Sequence, residues 1–231
     1  MDRTLEIGTP PLKIILRRSA RARRFSLRVS RADGAVILSL PRWAPEREAL
    51  GFALSQEGWI RKALAARPVV PSLMIGALIP LGGDSLVIAG GPGRVVRREG
   101  DRLVVPQGAL ATLGARVEAF VKHDARQRLV AASDHYAAAA GRSHAGITLR
   151  DTRSRWGSCS STGKLMYCWR LAMAPPVVLD YVAAHEVAHL VEMNHSPAFW
   201  AVVKRLMPGY EPHRAWLRAH GAGLQAIRFR D

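Results

Sequence analysis

The chain has 231 residues and is strongly basic, with 34 Lys and Arg residues against 18 Asp and Glu residues and a formal net charge of +16. Hydrophobic residues make up 48% of the chain and charged residues 23%. This balance provides enough apolar surface for a folded core, so it excludes a disordered or fibrous protein. The length suits one large domain or two small ones.

The sequence lacks the features of a membrane-spanning or secreted protein. The nearest candidate for a transmembrane segment, residues 68–83, is interrupted by two prolines and a glycine, so we expect no transmembrane helix. The first residues include acidic side chains and no apolar core, which is unlike a secretory signal. Two cysteines, Cys159 and Cys168, are too few for a disulfide framework. We therefore expect a cytoplasmic protein.

The first half of the chain has the pattern of short β-strands. Apolar and polar residues alternate over residues 25–30, which is the period of a half-buried strand. Turn residues at 31–34 and an apolar run at 35–40 predict that this strand continues into a hairpin. One helix is predicted from Pro45 to about Ala66, before prolines at 68 and 71. Further strands are predicted over residues 86–89, 94–98 and 103–105.

The second half has a mainly helical pattern. Residues 115–140 contain neither Gly nor Pro and are rich in helix formers, which predicts one long helix ending at Gly141. Two more helices are predicted to begin at Pro175-Pro176 and at Ser196-Pro197. Short strands are predicted over residues 147–149 and 165–170. The change of character predicts a β-rich N-terminal domain with one helix over residues 1–112 and a second domain over residues 113–231.

Positive charge is densest between Lys13 and Arg31. Such a patch can contact phosphate backbones or acidic proteins, and Arg21, Arg23 and Arg24 are the candidate nucleic-acid contacts. Charge alone indicates only non-specific association. A solvated arginine-rich face is the alternative interpretation, because the chain uses Arg far more often than Lys throughout.

The most informative segment is His185-Glu186-Val187-Ala188-His189. Residues four apart share one face of a helix, so both imidazoles can bind one metal ion. Glu186 follows the first ligand, where its carboxylate can reach water on the open side of the metal. Two ligands, a base and an open coordination position are what a catalytic zinc site needs.

His195 is the candidate for the third ligand that a catalytic zinc site normally has. An unbroken helix would carry His195 about 12 Å along the axis from the midpoint of the other two ligands, too far to share the ion. The chain must therefore leave the helix near Met193 and turn back. Asn194 tolerates the left-handed backbone conformation that such a turn is expected to need. Pro197 also indicates that the first helix has ended.

Several segments around this motif resemble the YgjP-like zinc metallopeptidase family, which is related to the SprT-type proteases. These segments are Arg155 to Ser160, Trp169 to Leu171, Ala174-Pro175, Tyr181-Val182, His185 to His189, Asn194 to Pro197 and Phe199-Trp200. The resemblance implies that His185, His189 and His195 bind Zn²⁺ and that Glu186 is the catalytic carboxylate. It also implies an α+β fold, in which a β-rich N-terminal part packs on a mainly helical, zincin-like catalytic domain with a small antiparallel sheet.

The leading hypothesis is a zinc-dependent metallopeptidase that hydrolyses peptide bonds through a zinc-bound water activated by Glu186. Its partner is a peptide or protein substrate. Arg170, Tyr210 and His213 are candidates for binding the substrate or stabilising the oxyanion. The predicted strand over residues 165–170 is a candidate edge for an extended peptide.

Two alternatives stay open. The zinc centre could instead hydrolyse nucleotide phosphoanhydrides, with the surplus arginines holding phosphates, although no glycine-rich phosphate loop supports this reaction. The second alternative is a DNA-associated protein with a structural or regulatory zinc site, which contacts DNA non-specifically through the basic N-terminal region. An intact glutamate beside the ligands argues against a purely structural site.

Overall fold

The computed structural model describes residues 3–30, 34–65 and 73–229, apart from the side chains of residues 109 and 110. Contacts divide the chain into two compact units, Met1–Val69 and Val70–Asp231. The fold is α+β, as predicted. The contacts do not divide the chain at residue 112, because strands between residues 78 and 106 share one hydrophobic core with the long helix that follows them.

The first unit is a four-stranded sheet with two helices. Its elements are β1 (Arg3–Ile7), β2 (Leu12–Ser19), β3 (Ser26–Val29), β4 (Val36–Pro41), α1 (Glu46–Ser55) and α2 (Glu57–Ala65). The strand order is β1-β2-β4-β3, with β2 and β4 parallel and the other pairs antiparallel. Antiparallel pairing of β3 with β4 confirms the predicted strand partners. Residues 31–33 of the predicted turn and the prolines at 68 and 71 lie outside the described residues.

Two predictions for this unit differ from the structure. Strands β1 and β2 were not predicted, yet β2 alternates between buried Leu12, Ile14 and Leu16 and more exposed neighbours. The single helix predicted over residues 45–66 is two helices, because the chain leaves helical geometry at Gln56, with φ −102° and ψ 5°. Each of the two helices still contributes buried side chains to the core.

The second unit begins with another four-stranded sheet. It contains β5 (Leu78–Leu81), β6 (Asp84–Gly91), β7 (Arg97–Glu99) and β8 (Arg102–Pro106), in the order β5-β6-β8-β7. A 3-10 helix, Gln107–Thr112, leads into α3 (Leu113–Ala139), which is the predicted long helix. Apolar side chains of the sheet and of α3 belong to one buried cluster, and this contact fixes the helix against the sheet.

The rest of the second unit carries the predicted metal-binding motif. It contains β9 (Ile147–Arg150), β10 (Gly157–Cys159), β11 (Leu165–Cys168), a 3-10 helix (Trp169–Met173), α4 (Pro176–Ala188), α5 (Pro197–Leu206) and α6 (Glu211–Ala226). The helix starts at Pro176 and Pro197 were predicted, and Ser196 Oγ caps α5 by accepting a hydrogen bond from the Phe199 amide at 3.3 Å. Helix α6 was not predicted. None of the helices in the described residues is both long and apolar enough to span a membrane.

The small sheet in this unit is mixed, whereas an antiparallel sheet was expected. Its order is β10-β11-β9, with β10 antiparallel to β11 and β9 parallel to β11. Strand β11 is therefore the central strand. It also ends at Cys168, two residues before the predicted end, because the chain tightens into the 3-10 helix that leads towards α4.

Candidate metal centre

Three imidazoles converge at the end of α4. His185 lies in the last turn of the helix, His189 is its C-terminal cap residue, and His195 lies in the loop before α5. One nitrogen from each ring can be chosen so that all three lie within 4.8 Å of one another. The Nε2 atoms of His185 and His195 are 3.1 Å apart. The structure thus brings together the three residues that the sequence predicts as ligands.

The donor set of three imidazoles and one of its nitrogen separations fit a tetrahedral zinc site. Two nitrogens bound to one zinc ion at about 2.0–2.1 Å lie about 3.3–3.4 Å apart, close to the separation of the His185 and His195 nitrogens. Burial, followed by the neighbouring imidazoles and Arg214, lowers the pKa of His185 to about 3. Burial likewise lowers the pKa of His189. Both rings are therefore neutral near pH 7, which is the form that binds a metal.

The chain returns His195 to the helix by a turn that differs from the predicted one. Backbone amides of Leu190, Val191 and Glu192 donate to carbonyls of the last turn of α4 and tighten its end. Among the described residues only glycines have a positive φ, so Asn194 does not adopt the expected left-handed conformation. Its side-chain oxygen instead accepts a hydrogen bond from the Ser196 amide at 3.0 Å. The turn is thus stabilised by side-chain capping.

Aromatic packing and one backbone hydrogen bond hold the ligand rings. The Phe199 ring lies 4.9, 4.4 and 4.8 Å from the rings of His185, His189 and His195, measured between centroids. His189 Nδ1 lies 3.0 Å from the backbone oxygen of Glu192, so this nitrogen is the donor and Nε2 is free to bind a metal. Phe199 was recognised in the sequence only as part of a family pattern; its contact with all three rings depends on the turn before α5.

Glu186 is buried beside the first strand of the small sheet. A Cβ atom built on Gly157 of β10 would lie 2.5 Å from Glu186 Oε1, so the strand contacts this carboxylate through its backbone. Burial raises the pKa of Glu186 to about 8, and the positive charge of Arg155 offsets part of the increase. The same carboxylate contributes to the raised pKa of the Cys159 thiol, for which burial is the main cause. Glu186 is therefore a desolvated carboxyl group on the residue that directly follows His185 in α4.

Strand β10 has a free edge next to Glu186. The Trp156 carbonyl accepts from the Cys168 amide and the Ser160 amide donates to the Lys164 carbonyl, so residues 156, 158 and 160 form the bonds to β11. By antiparallel alternation, the backbone groups of Gly157 and Cys159 point away from β11. The edge predicted over residues 165–170 is not available, because β11 is paired on both sides.

Arg170 has a structural role that differs from the predicted one. Its guanidinium donates to both carboxylate oxygens of Asp151, at 2.7 and 3.2 Å, and to the carbonyls of Leu224 and Ile227, at 3.0 and 2.8 Å. It also lies over the Trp169 ring. These contacts occupy the guanidinium, so we interpret Arg170 as a cross-link between the 3-10 helix and the end of α6.

The two other predicted substrate residues, Tyr210 and His213, lie at the start of α6. Tyr210 is buried, and its ring stacks between Tyr181, at 5.9 Å, and Trp200, at 5.5 Å. Tyr181 in turn packs edge-on against His185, so Tyr210 belongs to the packing layer behind a ligand. His213 is half-buried on α6; burial raises the pKa of Asp180, and the charge of His213 offsets a small part of this rise.

Two arginines near the site were missed by the sequence analysis as functional candidates. Arg214 lies over the Trp200 ring, 4.4 Å from its centroid, and its charge contributes to the lowered pKa of His185. Arg155 is exposed and opposes the rise in the pKa of Glu186. Arg155 lies in the segment from Arg155 to Ser160, whose resemblance to the family could have marked it as a functional candidate. Arg214 had no such signal, because α6 itself was not predicted.

The predicted nucleic-acid contacts belong to the other unit. Arg21, Arg23 and Arg24 are exposed in the segment between β2 and β3. They form no part of the histidine cluster.

A comparison with known protein families points to the same class. The sequence model of a family described as "YgjP-like, metallopeptidase domain" matches residues 23–220, which is most of the chain. A comparison with curated proteins finds no match. The solved structure of the metallopeptidase zymogen of Pyrococcus abyssi abylysin is similar to part of the chain, with 19% identity and a TM-score of 0.35. The similar region covers 45% of this chain and 99% of the other. A TM-score this low does not establish a shared fold or function.

Proposed function

Because the chain belongs to the YgjP-like metallopeptidase family, we propose that it is a zinc-dependent peptidase with Glu186 as its general base. The observation that carries this proposal is the convergence of His185, His189 and His195 beside a buried glutamate of the same helix. A zinc ion held by these three residues would polarise a peptide carbonyl and lower the pKa of attacking water. Three neutral imidazoles leave such an ion with an open position and its full positive charge.

Glu186 supplies the proton transfer in this proposal. Burial raises the pKa of Glu186, so its carboxylate is a stronger base than an exposed one for taking a proton from water, and the acid that forms can pass this proton to the leaving amine. Contact with β10 limits where its carboxylate can lie. The general-base role therefore depends on the position of Glu186 as well as on its basicity.

Strand β10 is the proposed binding edge for the substrate backbone. The outward-facing amides and carbonyls of Gly157 and Cys159 match an extended peptide, which would add a fourth strand to the small sheet. Gly157 also contacts Glu186, so a peptide on this edge runs past the general base. Backbone pairing of this kind binds many sequences and favours an unfolded or extended segment as substrate.

Metal analysis combined with a hydrolysis screen tests the proposal. We expect about one zinc per wild-type chain and cleavage within a diverse peptide library. Glu186→Gln should retain the zinc and lose cleavage by at least about 10²-fold, whereas His189→Ala should lose both. Phosphate release from a parallel nucleotide panel, absent in Glu186→Gln, would instead establish phosphoanhydride hydrolysis. A wild-type chain that binds no stoichiometric metal under non-chelating conditions would contradict the proposal altogether.

A further inference from the structure

The first unit gathers cationic residues at one end of its sheet. Strands β2 and β4 are parallel and in register up to Ser19 and Pro41, so they end together. Strand β3 starts at the same end, because Ser26 pairs with Ser39. The segment 20–25 joins β2 to β3 and therefore passes the end of β4, where the chain continues into Arg42 and Trp43. Residues distant in sequence are thus brought to this end of the sheet, which we call the arginine edge.

Trp43 is held at this edge with its side chain in solvent. Arg18 donates hydrogen bonds to the carbonyls of Arg42 and Ala44, at 2.7 and 2.9 Å, and the Ala44 amide donates to Pro41. Ala44 is buried, whereas the Trp43 side chain is 77% exposed. An exposed indole on a fixed turn loses little conformational freedom when a flat ring stacks on it, so it is suited to binding another aromatic group.

Four arginines lie on the chain segments that meet at this end of the sheet, namely Arg21, Arg23, Arg24 and Arg42. All four are exposed, and none forms an ion pair with a carboxylate among the described residues. The nearby Glu46 is already paired with Arg3 and Arg18. The edge is therefore strongly cationic, and its guanidinium groups are available to bind anionic oxygens.

We propose that this arginine edge, together with Trp43, binds single-stranded nucleic acid. Guanidinium groups contact the phosphates while an unpaired base stacks on the indole. A duplex keeps its bases stacked inside, so it would use the arginines and leave Trp43 without a partner. This inference concerns the first unit only and does not depend on the chemistry of the histidine cluster.

The test is fluorescence anisotropy of the full-length chain with a labelled 20-nucleotide oligothymidine and with a 20-base-pair duplex. The single strand should bind more tightly, with a slope of log Kobs against log salt of about −0.7 for each phosphate contacted. Trp43→Ala should weaken single-strand binding about 5- to 150-fold, the range measured for loss of one stacked base. Its effect on duplex binding should be less than about 2-fold. The triple variant Arg21→Ala, Arg23→Ala, Arg24→Ala should weaken both and reduce the salt slope.

Two matched controls separate the edge from general properties of the chain. Trp59, on α2 of the same unit, is 49% exposed, and Trp59→Ala should leave single-strand binding unchanged. The exposed arginines 142, 205 and 218 lie in the second unit, and their triple Ala variant removes the same net charge. Equal weakening by the two triple variants, or unchanged binding in Trp43→Ala, would overturn the proposal. So would binding to anionic lipid vesicles with no binding to oligothymidine.

Discussion

Gly157→Ala tests whether catalysis depends on the close contact between β10 and Glu186. The added methyl carbon would lie 2.6 Å from Glu186 Cγ, while non-bonded carbon atoms normally lie about 3.5–4.0 Å apart, so the side chain must move by about 1 Å. A displacement of this size in a catalytic group costs about 10²-fold in rate, or about 2.7 kcal/mol in the transition state. The outward backbone groups of residue 157 remain, so the peptide-binding edge is kept.

The assay is kcat/KM for a peptide found in the screen, measured together with zinc content and thermal unfolding. We expect kcat/KM to fall about 10²-fold while zinc content stays at the wild-type value, because the three atoms nearest the new methyl group all belong to Glu186. Gly223→Ala is the control, since a Cβ there meets no atom within 4 Å. A Gly157→Ala enzyme within about threefold of wild type would refute the argument that β10 positions the base.

Two further predictions concern stability. Arg170→Ala should lower the free energy of unfolding by about 2–4 kcal/mol, because one buried and one partly buried carbonyl lose their donor, and Asp151→Ala should cost less; urea denaturation measures both. A loss below about 1 kcal/mol for Arg170→Ala would show that these bonds are dispensable. Burial raises the pKa of Asp180 against opposing charges from His135, Arg128 and His213, so ionisation of this carboxyl group opposes folding. The stabilising contribution of its protonated form is present at low pH and is lost as the pH rises through the folded-state pKa. Asp180→Asn should therefore raise the Tm at pH 7 and change it little near about pH 3.5, where both side chains are neutral. A lower Tm of Asp180→Asn at both pH values would contradict the predicted pH dependence.

The sequence predicted local features that depend on spacing. The pair His185 and His189 is fixed by helical periodicity, and Pro197 required the helix to end before His195. The long helix α3 follows from an uninterrupted run of helix formers. These features need little knowledge of the rest of the fold, because each is determined by residues close together in the chain.

Features that depend on tertiary placement could not be predicted in this way. The strand pattern of β2 is hidden by Lys13, Arg17 and Arg18, whose charge suggested only a basic segment. Arg170 reaches carbonyls 54 and 57 residues away, so no local pattern shows that it is occupied. The contact of Gly157 with Glu186 joins a strand to a helix across the unit. In each case long-range packing decides the role of the residue.

The cross-link through Arg170 has a consequence for synthesis of the protein. Residues 169–173 come just before α4 in the chain. Arg170 nevertheless donates two of its hydrogen bonds to the carbonyls of Leu224 and Ile227, which lie much later in the chain. A ribosome delivers all three histidines before it delivers these two carbonyl partners. The nascent chain therefore contains the full set of histidines before Arg170 can form its two hydrogen bonds with the end of α6.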